Sequence, residues 1–202
     1  MSSSPLSLPF DQFAAELTYD DLPEPLLWVL RRSFLDTMGV AAVASTTQMA
    51  DVARRGARAM FGVGDAGGAR VLMAGMMLSP AGAAMAGGFT VDAVDAHDTT
   101  SPCKGHVGSA VFPALMAMAE VAERPLSGAA FAADLAVAYE VSGRAGLAQH
   151  ATCADYHTSG AWTAVGVATA AARMLGCTRD QIRHAAGIGE YHGPRSQMMR
   201  CI

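Results

Sequence analysis

The chain has 202 residues, 51% of them hydrophobic and only 16% charged, with a formal net charge of −4. That length supports one sizeable core, and the slightly acidic balance argues against a nucleic-acid footprint or a basic membrane-binding surface. So few charges leave little surface suited to water, which predicts burial against a second copy or a completing C-terminal chain.

The opening run MSSSPLSLPFDQF lacks the basic region and apolar stretch of a secretory signal. The four cysteines, Cys103, Cys153, Cys177 and Cys201, make no CxxC pair and no zinc-ligand spacing. A cytoplasmic chain with reduced thiols is the expectation. Asp21 and Glu24 have capping-box spacing and Pro23 suits a first turn, so a helix is predicted to open at Asp21. Leu27, Leu30, Phe34 and Met38 then follow at helical steps. A second helix is predicted from about Thr47 to Phe61, stopped by Gly62. Between Gly67 and Ser79 the run ARVLMAGMML reads as a short hairpin. Val71 to Val91 is uncharged, but Pro80 and several glycines break it, so no membrane span is expected.

Ser79-Pro80 restarts a helix of small residues that delivers the chain to Asp95. Ser109 is predicted to cap another helix through about Val121, with Pro113 in its first turn. Ser127 opens a further one in which Phe131, Leu135, Ala138 and Ser142 share a face. Thr158 or Ser159 starts a helix that Gly176 ends, and Thr178 with Gln181 forms a capping box for the next. The whole reads as one all-α domain, a bundle whose 13 methionines fill irregular gaps. The ending SQMMRCI has no cap or closing helix and reads as stopping in mid-element.

Between apolar stretches, Val94 to Ser109 concentrates Asp95, His97, Asp98, Thr99, Thr100, Lys104 and His106. Such a polar island is either a solvated connection or the rim of a site. His106 precedes one predicted helix start and His157 another. Helix N-termini present unpaired N–H groups and partial positive charge, which attract carboxylate or phosphate. If the two starts converge, they form an anion cradle lined by two imidazoles. Elimination next to a carboxylate needs a base for a carbon-bound proton and an acid for the leaving hydroxyl, and imidazole suits both near neutral pH. Asp95 could orient an imidazole, Thr99 and Lys104 could meet substrate oxygen, and Arg195 could bind a carboxylate bidentately. The more common role of a lone histidine is structural, capping a helix or filling a polar gap. Asp95, His97, Asp98 and His106 could instead bind a metal, on a nonspecific spacing. His150, His184 and His192 read as exposed or helix-face residues.

The stretches DAHDTTSPCKGHVGSAVFPALMAMAE, YEVSGRAG and DYHTSGAWTAVGVATAAARMLG together resemble the MmgE/PrpD family, with its DxDDT…HPGS pattern. That family includes 2-methylcitrate dehydratase, cis-aconitate decarboxylase and iminodisuccinate epimerase. The resemblance implies catalytic roles for His106, His157 and Asp95, and a substrate-facing hydroxyl at Thr99. His97, Val107 in place of a proline, and one extra residue between Thr99 and His106 depart from the family pattern. Family members are far longer, with an α/β lid, so the resemblance covers the first part of their helical domain. It implies no metal or organic cofactor, association through this domain, and action on a small polycarboxylate. Dehydration of a 2-methylcitrate-like hydroxy acid is the first expectation. Decarboxylation or epimerisation on the same scaffold, or a non-catalytic helical subunit needing a second polypeptide, are the alternatives.

Overall fold

The computed structural model describes residues 8–65, 67–123, 126–153 and 158–193. Among them are eight α-helices and one two-stranded antiparallel ribbon, as the all-α reading with a short hairpin expects. The helices are α1 (Phe10–Glu16), α2 (Glu24–Ala44), α3 (Gln48–Met60), α4 (Pro80–Asp92), α5 (Gly108–Val121), α6 (Gly128–Thr152), α7 (Gly160–Met174) and α8 (Arg179–His192). Strands β1 (Ala69–Arg70) and β2 (Met77–Leu78) pair between α3 and α4.

Most helix starts follow the predicted side chains. Thr47, Ser79, Ser127 and Thr178 each accept a hydrogen bond from a first-turn N–H, and Gln181 completes the capping box of α8. Gly176, at φ +72°, takes the left-handed turn after α7 that residues with a Cβ resist.

Two starts differ from the reading. Asp21 does not open α2. Its carboxylate accepts the Thr18 N–H at 2.9 Å and the Thr18 hydroxyl at 2.6 Å, boxing a single 3₁₀ turn. α2 begins after Pro23, and Pro25 in its first turn has no N–H for an upstream side chain to cap. Ser109 does not cap α5 either, because the helix begins one residue earlier, at Gly108. Asp98, from the preceding loop, accepts the Gly108 N–H at 2.9 Å and takes the capping role. Pro113 falls inside α5, past its first turn.

The main core gathers Phe112 and Leu115 of α5, Leu135, Val137 and Val141 of α6, and Trp162 and Met174 of α7, with Leu27 and Leu30 closing over it from α2. A smaller cluster of Ala57, Val71, Leu78, Ala83, Ala86 and Ala117 lies beneath the ribbon. Small residues set the helix spacing. At Gly166 a Cβ would lie 2.0 Å from Ser142 Oγ and 2.5 Å from the Ala138 carbonyl oxygen, so α6 and α7 touch through backbone. Gly166→Val forces these helices apart and is expected to cost about 1–3 kcal/mol or more by overpacking. A urea denaturation series checks this, and a variant as stable as the parent would show that the crossing yields easily.

Candidate active site

The polar loop between α4 and α5 is built to hold one histidine still. Thr100 and Gly105 pair across it, with Thr100 N–H donating to the Gly105 carbonyl at 2.7 Å. Within this turn Lys104 adopts a left-handed backbone, φ +50°, as Asp95 does earlier at φ +47°. The turn is fastened to α6. His150 Nε2 lies 2.6 Å from the Cys103 carbonyl oxygen, and the Cys103 thiol donates to the Gly143 carbonyl at 3.4 Å. A carbonyl only accepts, so His150 carries its proton on Nε2. His150 is thus a half-buried tether, whereas His184 and His192 are exposed as expected.

His106 emerges at the end of this turn with two hydrogen-bonded anchors and one carboxylate nearby. Its backbone N–H donates to Ser159 Oγ at 2.8 Å. Its ring Nδ1 lies 2.7 Å from the Asp98 carbonyl oxygen, which again can only accept. Nδ1 therefore carries the proton, and neutral His106 presents the Nε2 lone pair. That nitrogen lies 3.7 Å from Asp95 Oδ1, on a carboxylate with 80% of its side chain exposed. The Ser159 bond joins the approach to α5 to the start of α7, so these two helix N-termini lie close together. No Cβ fits at Gly105, where it would meet Ser159 Oγ at 2.3 Å and Trp162 at 3.0 Å.

Behind His106 stands Asp98. Its Oδ2 accepts the Tyr139 hydroxyl at 2.6 Å while its Oδ1 caps α5. Burial and the neighbouring Asp98 charge push the Tyr139 pKa up, which keeps the phenol protonated as a donor. With both oxygens engaged, Asp98 is a positioning group rather than the metal ligand considered from the sequence. His97 is buried to 5% exposure, its ring 4.4 Å centroid to centroid from that of His106. The Asp92 carboxylate, 3.3 Å from His97 Nε2, raises the His97 pKa and is itself lowered by the imidazole.

Of the residues read from the sequence, His106 and Asp95 are brought together, and Thr99 and Lys104 lie exposed on the same loop. His157 and Arg195 lie outside the described residues. Sequence reasoning missed the work of Asp92, Tyr139 and Ser159. Tyr139 and Ser159 have partners 41 and 53 residues away in sequence, which no local spacing signals, whereas Asp92 meets His97 only five positions on. Next to the loop, an apolar cavity of about 490 Å³ is lined by Leu17, Leu22, Leu30, Thr100, Val107 and Tyr139 among others. Neither His97 nor His106 reaches it.

Comparison with known proteins gives a consistent picture. A family model described as the MmgE/PrpD N-terminal domain matches residues 10–199. The cis-aconitate decarboxylase-like protein oryM of Aspergillus oryzae is 27% identical over 184 residues, covering 87% of this chain and 38% of that protein. The cis-aconitate decarboxylase of Aspergillus terreus is 28% identical over 182 residues, covering 87% of this chain and 36% of that protein. The chain thus spans less than two-fifths of the length of the curated relatives it matches.

Proposed function

We propose, because this chain belongs to the MmgE/PrpD family, that it carries the proton-handling half of a lyase acting on a small di- or tricarboxylate. The observation that carries this reading is His106: one ring nitrogen is locked to the Asp98 carbonyl and the other is left with its lone pair beside Asp95. Such an imidazole can accept a proton from carbon next to a carboxylate, and Asp95 stabilises the imidazolium that results. The joined starts of α5 and α7 supply N–H groups and partial positive charge for the substrate carboxylates, with Thr99 and Lys104 on the loop to receive them.

In the dehydration of a 2-methylcitrate-like substrate, the C–H bond breaks toward His106 and a C=C bond forms. The β-hydroxyl departs as water with a proton from an acid, the role the family resemblance gives to His157. Decarboxylation is the second reading, favoured by the names of the relatives. There the C–C bond to a carboxylate breaks, CO₂ leaves, and the released electron pair takes a proton from imidazolium. Association, with a second copy or a completing chain, is part of the proposal. It is supported by Trp28, Leu35 and Val43 on α2, which are 58%, 74% and 68% exposed.

Proton exchange in deuterium oxide, followed by NMR with 2-methylcitrate and with cis-aconitate, tests the reading. The chain is assayed alone and with a C-terminal polypeptide of the family. Deuterium entering beside a carboxylate, or product forming, is the expected result. Recovery only with the added polypeptide identifies a subunit of a split enzyme. Neither exchange nor turnover under both conditions sinks the proposal.

A further inference from the structure

We propose that the cavity enclosed by α1, α2 and α6 is a binding site for a small, uncharged aliphatic molecule with one polar head group. Its volume of about 490 Å³ lies within the range of small-molecule sites. Phe13 and Leu17 face it from α1, Leu30 and Ser33 from α2, and Tyr139 and Gly143 from α6. Phe13, Leu17 and Leu30 are buried members of the main core, so these walls are fixed. Open space of this size among core side chains forfeits dispersion contacts that an apolar occupant restores.

Gly143 is the independent sign that the space is kept open. It lies in the interior of α6, where glycine weakens a helix. A Cβ built there meets no atom within 4 Å. One turn on, at Gly146, a Cβ would meet the Cys103 sulfur at 2.9 Å. Close packing therefore accounts for Gly146 and not for Gly143, where the missing side chain leaves room inside the cavity.

The lining sets the chemistry of the ligand. Among the described residues no lysine, arginine or histidine lines it, and its two carboxylates are Asp21 and Glu140. Glu140 is paired with Arg144 at 2.8 Å, which leaves Asp21 to repel an anion. The polar groups open to a ligand are the Ser33 and Thr100 hydroxyls, which have no hydrogen-bond partner among the described residues. The Tyr139 hydroxyl is already given to Asp98. Two hydroxyls in an apolar chamber suit an alcohol or carbonyl head and reject a carboxylate. The cavity is thus separate from the site proposed for a polycarboxylate, yet it backs onto that site. Tyr139 holds Asp98, whose carbonyl fixes His106, and Val107 follows His106 in the chain. An occupant packed on Tyr139 and Val107 presses on the support of His106. The inference does not rest on the proposed reaction, since binding is measured without substrate.

The test titrates the 202-residue chain with octanol, octanoate and octylammonium, followed by calorimetry and by the NMR signals of the His106 ring. Saturable binding of one octanol per chain is expected, with movement of the His106 signals. Octanoate should bind at least about 10-fold more weakly, because its carboxylate would be buried unpaired. Ser33→Ala should weaken octanol by about 2–10-fold, the worth of one hydrogen bond. Gly143→Leu fills the cavity and should abolish octanol binding without lowering Tm. Leu147→Ser, on α6 but away from the cavity, should bind as the parent does. Should Gly143→Leu fail to fold by circular dichroism, Ser33→Leu fills the space from the opposite wall and decides. Absence of saturable octanol binding, a charged probe binding as tightly as octanol, or unchanged binding in the folded filled variant overturns the proposal. Binding that disappears as the chain self-associates assigns the cavity to a second copy and overturns it equally. His106 signals that stay in place at saturation overturn the link to that histidine.

Discussion

Arg173→Met is expected to lower the unfolding free energy by about 3–5 kcal/mol, the usual cost of leaving one partner of a buried ion pair uncompensated. Arg173 Nε donates to Asp134 Oδ1 at 2.6 Å, and the Asp134 side chain has no exposure. The rest of the guanidinium donates to the Ala14 carbonyl and, at 2.5 Å, to the Leu17 carbonyl at the end of α1. One side chain thus joins α7 to α6 and holds α1 down. For a chain of this size a loss on that scale lowers Tm by roughly 10 °C. Thermal melts of the parent, Arg173→Met and the double variant with Asp134→Leu form the measurement. The double variant should recover much of the loss, since removing both charges also removes the stranded carboxylate. A single-variant loss below about 1 kcal/mol would place the pair with weak surface bridges.

His106→Asn is expected to reduce proton exchange or turnover by about 10²–10⁴-fold, the usual contribution of a positioned acid–base group. Asparagine can still donate to the Asp98 carbonyl from the place of Nδ1, so the loop and the cap of α5 are retained. What it lacks is the basic nitrogen facing Asp95. Unchanged Tm with lost exchange separates chemistry from folding. Retained exchange would remove His106 from the mechanism and pass the base role to another group.

These two effects differ in how far the sequence announces them. The helical class, the ribbon near Met77 and the caps at Thr47, Ser79, Ser127 and Thr178 were legible because each rests on residues within four positions of one another. The loop was legible too, because polar side chains crowd between alanines and methionines. Local rules failed where the competing partner came from elsewhere. Asp98 displaced Ser109 as the cap of α5 from ten residues before Gly108. Asp21 is the local exception, turning back to Thr18 three positions away because prolines follow it. His150, read as exposed or on a helix face, lies on α6, and its tether to a carbonyl 47 positions away is what no local spacing announces.

By itself, then, the sequence determined which segments become helices, where most of them start, and which loop holds the ionisable groups. Short-range backbone hydrogen bonding and side-chain periodicity carry that information. Only the tertiary structure decided that Asp98 serves as a support, that His97 is sealed inside, and that His106 presents one nitrogen beside Asp95. Those outcomes depend on α5, α6 and α7 coming close enough for Tyr139 and Ser159 to reach the loop. Glycines at 105 and 166 permit that approach, because in each place a single Cβ would already collide.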